Sequence, residues 1–164
     1  MHLSARSFFF PRFTFGYIVR LLLIAGLALV FFSKICIPVK IEGISMEPTY
    51  HNGSFNFCCR IPYFFHPPKV GDVVMIRMSG NRIMYMKRVV ALAGDMVSFQ
   101  NGYLYVNGKV RPEIYVTMAC DWNLPPRKVK PDHVYVVGDN RGMPIENQVF
   151  GQVPISRIVG KALW

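Results

Sequence analysis

Acidic residues are scarce. The 164-residue chain holds 9 Asp and Glu against 19 Lys and Arg, for a formal charge of +10 and a pI of about 9.7. A surplus of this sign suits a nucleic acid or an anionic membrane surface as neighbour. The basic residues are scattered, however, and no RNP, helix-turn-helix or zinc-finger pattern is present. No nucleic-acid partner is expected, and proximity to a membrane accounts for the charge more simply. The four cysteines, Cys36, Cys58, Cys59 and Cys120, show no C-x-x-C spacing, and His2, His51, His66 and His133 stand alone. That argues against zinc, and neither a metal nor a cofactor is expected. In an oxidising compartment Cys120 could pair with Cys58 or Cys59, whereas adjacent cysteines would bridge only with strain. Internal repeats and low-complexity tracts are also missing. What remains is 52% hydrophobic with a mean hydropathy of +0.27, too apolar for a disordered chain and long enough for one domain plus an N-terminal addition.

That addition is apolar. Residues 1–16 are basic and aromatic, with Arg6, Arg12 and the run Phe8-Phe9-Phe10-Pro11. Residues 21–32 carry no charge, yet alone they fall short of the ~20 residues that cross a bilayer. Letting Arg20 and Lys34 snorkel to opposite interfaces extends the span to 17–37, with Pro38 closing it. A cleavable signal peptide is the alternative, but Phe32-Ser33-Lys34-Ile35-Cys36 offers no A-x-A site and a poor lipobox. Arg6, Arg12 and Arg20 outweigh Lys34 and Lys40, which places the N-terminus in the cytoplasm. The expected organisation is a cytoplasmic segment 1–16, a single-pass anchor 17–38 in the cytoplasmic membrane, and an extracytoplasmic domain 39–164.

Beyond the anchor the pattern predicts an all-β, mainly antiparallel domain. Strands are expected at 39–41, 55–60, 73–77, 83–90, 96–99, 103–106, 134–137 and 158–159. Asn101-Gly102 and Asn107-Gly108 bracket an aromatic run, a strong hairpin signal because type I′ turns need positive φ. Pro112, Pro125, Pro126 and Pro131 mark 112–132 as irregular. The cluster Tyr63-Phe64-Phe65, between prolines, either dips into the outer leaflet or packs in the core.

In the strand at 83–90, side chains alternate between two faces. Ile83, Tyr85, Lys87 and Val89 share one, and Met84, Met86, Arg88 and Val90 the other. A covered face would desolvate the Lys87 amine and lower its pKa. A lysine brought towards neutrality can take a proton from a hydroxyl, as in a Ser–Lys nucleophilic pair. Otherwise Lys87 is a half-exposed strand residue with its head in water. Ser45 is the candidate partner. Gly43 before it allows close backbone approach, Pro48 stiffens the turn after it, and its own N–H could serve an oxyanion hole. Read alone, it is an ordinary turn serine.

Taken together, these segments resemble the type I signal peptidases, membrane-anchored serine proteases with a Ser–Lys dyad. The match runs in family order: Ser45-Met46-Glu47-Pro48-Thr49, Gly71-Asp72-Val73-Val74, Tyr85-Met86-Lys87-Arg88-Val89-Val90 with Gly94-Asp95, and Gly138-Asp139-Asn140-Arg141. The tail Phe150-Gly151-Gln152-Val153-Pro154 and Ile158-Val159-Gly160-Lys161-Ala162 agrees as well. The resemblance implies a signal-peptidase-like β fold with Ser45 as nucleophile and Lys87 as general base. Gly43, Arg88 and Asp139 would support the site and its oxyanion hole, beside the Ser45 N–H. Ile44, Met84, Tyr85 and Met86 would meet an extended substrate by strand addition. Shallow pockets would favour small residues at the first and third positions before the cleaved bond. The implied partners are the membrane and exported precursors with signal or leader peptides.

Two departures qualify it. Gly43 stands where some relatives carry a serine as second oxyanion donor. Pro144, Glu146 and Gln148 stand where the last block usually has a lysine-orienting Ser, an Asp and an Arg. The short basic chain, the Phe57-Cys58-Cys59 run and this reduced block are also similar to the specialised relatives that mature, and in some cases cyclise, pilin subunits for conjugation. A non-catalytic membrane-anchored scaffold is the contrasting reading.

Overall fold

The computed structural model describes residues 14–77, 84–118, 120–149 and 151–163; Arg6, Arg12, the turn Ser79-Gly80-Asn81, Ile83 and Phe150 lie outside them. The chain divides into two units, Met1–Ile35 and Cys36–Trp164.

The first unit is helical. Helix α1 (Phe15–Val30) starts at Thr14, whose hydroxyl accepts from the Tyr17 N–H, and runs on through a π turn, Phe31–Ile35. Together they make 21 residues, about 31 Å at 1.5 Å per residue, which matches the hydrocarbon core of a bilayer. No residue of α1 is buried, as suits a helix whose apolar side chains face lipid. The helix ends sooner than the sequence suggests. Ile37 and Pro38, read above as the end of the span, belong to strand β1 (Cys36–Lys40). β1 is an edge strand, where a proline's missing N–H breaks no ladder.

The second unit is built on two antiparallel sheets. The larger has the order β1-β2-β11-β3-β4-β9-β10, with β2 (Phe55–Cys59), β3 (Val73–Arg77), β4 (Met84–Ala91), β9 (His133–Val137), β10 (Gly151–Pro154) and β11 (Ile158–Ala162). The smaller has the order β7-β6-β5-β8, with β5 (Met96–Gln100), β6 (Tyr103–Val106), β7 (Lys109–Val110) and β8 (Leu124–Lys128). Both Asn-Gly pairs turn hairpins, and Asn101, Gly102, Asn107 and Gly108 all have positive φ. β8 lies inside the stretch expected to be irregular. Its two prolines sit on an edge strand, where the register against β5 slips between Val97 and Phe99. β10 is likewise an edge strand that sequence alone does not reveal.

β3 shows why the large sheet reads as an unbroken apolar run. Val74 and Ile76 join Val89, Val134 and Val136 on one face, while Val73 and Met75 join Met46, Tyr50, Cys58 and Met86 on the other. A third cluster packs Val97, Phe99, Leu104 and Trp122 of the small-sheet side against Val90 and Val137. Residues Pro62–Phe65 form a short helix, α2, and divide the aromatic cluster between its two readings. Tyr63 packs on the core and donates to Asp72 Oδ2 at 3.2 Å, whereas Phe64 and Phe65 are 67% and 83% exposed. The pairing of Cys120 with Cys58 or Cys59 that an oxidising compartment would allow is not formed. Cys120 packs beside the small sheet, Cys36 faces Cys59 across β1 and β2, and all four thiols are free.

Candidate active site

Two loops clasp each other at the centre of the second unit. One leaves β1 and returns as β2, closed by the Ile41 N–H to Ser54 O and the Gly53 N–H to Ile41 O. Gly43 takes φ +102 there, a left-handed value that favours glycine, and its N–H donates to Asn52 Oδ1 at 3.0 Å. Met46 and Tyr50 sink into the core, and Ser45, immediately before Met46, stays half-buried at the surface of the loop. The other loop is the turn Gly138-Asp139-Asn140-Arg141 after β9. Its Asn140 N–H donates to Ser45 O at 3.1 Å, and Asn140 Nδ2 donates to Ile44 O at 3.0 Å. Gly138 has no Cβ, and the Ser45 carbonyl fills the space one would need.

Lys87 reaches this loop from the middle of β4. Tyr85 and Val89 flank it on its own face, and Val74 is its partner across the sheet. The residue is 2% exposed, and its Nζ lies 2.5 Å from Ser45 Oγ. Burial disfavours the ammonium and pulls the pKa from 10.5 down to about 8, against a smaller upward pull from the Asp139 carboxylate. A small cavity of about 120 Å³, walled by Ile76, Val136, Val149 and Val153, adjoins the lysine and is mostly apolar.

The supporting charges are arranged around Asp139. Arg88 Nε and Nη2 donate to its two oxygens at 2.8 and 2.7 Å, and Thr49 Oγ1 donates to Oδ2 at 2.7 Å. Arg88 also donates to Gly71 O at 2.9 Å, and the Tyr115 ring lies 4.0 Å from its guanidinium. Arg88 and Asp139 are thus brought together, as the resemblance implied. Thr49 and Tyr115 were not anticipated. Thr49 at least stands in the Ser45 block, whereas Tyr115 lies in a stretch without periodicity.

The altered last block has its own solution. Arg141 is buried and pairs through both Nη atoms with Glu113, another residue the sequence pattern did not single out. Gln148 is buried, and its Nε2 donates to Asn140 O. Glu146 is exposed.

Beside Ser45 opens a cleft of about 370 Å³, lined by Ile41, Gly43, Met46, Met75, Met84 and Met86 among others. Met84, Tyr85 and Met86 all border it. Ile44 does not; its side chain is 46% exposed, and it contributes its carbonyl to the loop clasp. β3 pairs with one edge of β4 from Met84 to Arg88, but β9 joins the other edge only from Arg88 onward. Among the described residues, Met84 to Lys87 therefore keep one edge without a strand neighbour. The Ser45 N–H likewise meets no acceptor among the described residues, whereas that of Gly43 is committed to Asn52. Among the described residues no three His, Cys, Asp or Glu side chains cluster as a metal would need.

The family model for "Signal peptidase, peptidase S26" matches residues 14–164. The probable signal peptidase I-1 of Synechocystis sp. is 34% identical over 150 residues, covering 87% of this chain and 76% of that protein. Signal peptidase I of Bacillus caldolyticus is 32% identical over 135 residues, covering 74% of each. The chloroplastic thylakoidal processing peptidase 1 of Arabidopsis thaliana is 31% identical over 149 residues, covering 84% of this chain and 44% of that longer protein.

Proposed function

The chain belongs to the signal peptidase family, peptidase S26, and is a serine peptidase of the signal peptidase I type; on that premise we propose that Ser45 is its nucleophile and Lys87 its general base. The observation that carries this is the 2.5 Å approach of a 2% exposed amine to a half-buried hydroxyl. Neutral Lys87 accepts the Ser45 hydroxyl proton as Oγ attacks the scissile carbonyl. The tetrahedral oxyanion accepts from the Ser45 N–H, which meets no other acceptor among the described residues. The Lys87 ammonium then gives its proton to the departing amine, leaving a Ser45 ester. Water, deprotonated by the same amine, hydrolyses that ester and restores the site.

The substrates we propose are the signal or leader peptides of exported precursors. An extended segment would add to the unpaired edge of β4 at Met84 to Lys87 and lay alternate side chains into the methionine-walled cleft. The apolar helix makes the enzyme membrane-anchored. We place the basic arm in the cytoplasm, from the excess of Arg6, Arg12 and Arg20 over Lys34 and Lys40, and the β domain outside.

The test is cleavage of a precursor by the purified full-length chain in detergent. Wild type should trim it at one bond, and Ser45→Ala and Lys87→Ala should be folded and inert. Cleavage by a Lys87→Ala variant would remove the base from this scheme. A pilin precursor offered in parallel distinguishes a dedicated maturation enzyme from a general one.

A further inference from the structure

We infer that residues 113–115 form a positioning strap for the dyad, tying the strand that carries Lys87 to the turn that holds the Ser45 loop. The inference rests on the reading of Ser45 and Lys87 given above. The strap lies between β7 and β8, distant in sequence from both halves of the site. At one end, Glu113 takes Arg141 in both oxygens, Nη1 to Oε2 at 2.8 Å and Nη2 to Oε1 at 2.6 Å. Arg141 is 1% exposed, so that carboxylate is the counter-ion that offsets the desolvation of its guanidinium. Its Nε donates to Gly138 O at 3.0 Å, at the residue against which the Ser45 carbonyl rests.

At the other end, the Tyr115 ring lies over the Arg88 guanidinium. Arg88 follows Lys87 on β4 and grips Asp139, the carboxylate that acts on the Lys87 charge. The two ends are joined, because Tyr115 OH donates to Glu113 Oε1 at 2.7 Å. One short segment therefore fixes both arginines that flank the site, one beside the base and one beside the nucleophile's support. These are charged, directional contacts, and they bear on residues that touch the dyad. Glu146, in the same block as Arg141, is exposed, and it is Glu113 that reaches the guanidinium from another loop.

The test compares kcat and KM of wild type, Glu113→Gln, Tyr115→Leu and Tyr115→Phe on a signal-peptide-like peptide with Ala at the first and third positions before the bond. All are full-length, and each is assayed at a temperature where thermal unfolding shows it folded. Misplacing the pair by an ångström predicts a loss in kcat of about a hundredfold for Glu113→Gln and Tyr115→Leu, with KM little changed. Tyr115→Phe keeps the ring over Arg88 but cuts the bond to Glu113, so its kcat should fall between those of wild type and Tyr115→Leu. Should Glu113→Gln fail to fold, the two Tyr115 variants carry the test. Wild-type kcat in folded Tyr115→Leu, or a loss that tracks only the unfolded fraction, overturns the strap. A wild type that does not cleave, or a Ser45→Ala variant that does, overturns the dyad reading first and the strap with it.

Discussion

The carbonyl oxygen of Ser45 occupies the space that a side chain on Gly138 would fill, and a Cβ there would also meet Gln148 Oε1 at 2.8 Å. Room, rather than a left-handed backbone, is what this glycine supplies. Gly138→Ala should therefore push the Ser45 loop away from Lys87. Overpacking of this kind costs about 1–3 kcal/mol, and a shift near 1 Å costs about a hundredfold in rate. Chemical unfolding and kcat on one preparation check both figures.

Lys87 carries a stability cost that depends on pH. Its folded pKa of about 8 lies below the ordinary 10.5, so the unfolded chain holds the proton more tightly. Between those two values unfolding takes up a proton, and stability rises with pH. Below about pH 8 the full cost applies, about 3 kcal/mol at 1.36 kcal/mol per pKa unit. Lys87→Met should be inactive, more stable than wild type at pH 7, and close to it by pH 10.5. Urea unfolding at the two pH values reads the difference.

Asp139→Asn removes the anion that favours the Lys87 ammonium. The amine's pKa should fall further, and the rising limb of the pH–rate profile should move to lower pH. The same change strands Arg88, whose side chain is 13% exposed and which loses both charge-assisted bonds. Breaking such a pair costs about 3–5 kcal/mol. A profile displaced to higher pH would contradict the assigned electrostatics.

Burial pushes the Cys58 thiol up to about 11, and Cys36 and Cys59 are buried beside it on β1 and β2. Cys120 is partly open. Iodoacetamide at pH 8 should modify Cys120 in the folded protein and spare the other three, while all four react in urea. Peptide mass spectrometry reads each site. Labelling of folded Cys58 at the rate of Cys120 would contradict this placement.

Local pattern marked Ser45 and Lys87 only as candidates, and the ordered match of several blocks to the signal peptidases is what joined them across 42 residues. Lys87 lies in a strand whose alternation can be counted, and Ser45 lies in a loop marked by Gly43 and Pro48. The hairpin around β6 followed from its two Asn-Gly turns. Long-range pairings left no such trace. Glu113 reaches Arg141 across 28 residues of sequence, and Tyr115 covers Arg88 from an aperiodic stretch. β8 was hidden by Pro125 and Pro126, which read as breakers until the strand is known to lie at an edge. The helix stops at Ile35 and Ile37 enters β1, a boundary that apolar composition does not mark because isoleucine suits a bilayer and a strand equally well.

The most direct measurement is the pH dependence of kcat/KM for precursor cleavage, taken from pH 6 to 10 in wild type and in Lys87→Ala. A single buried amine acting as base predicts a rate that climbs about tenfold per pH unit, bends near pH 8 and is flat above, with no cleavage by the variant. A rate indifferent to pH across that range, or a Lys87→Ala variant that still cleaves, would contradict it.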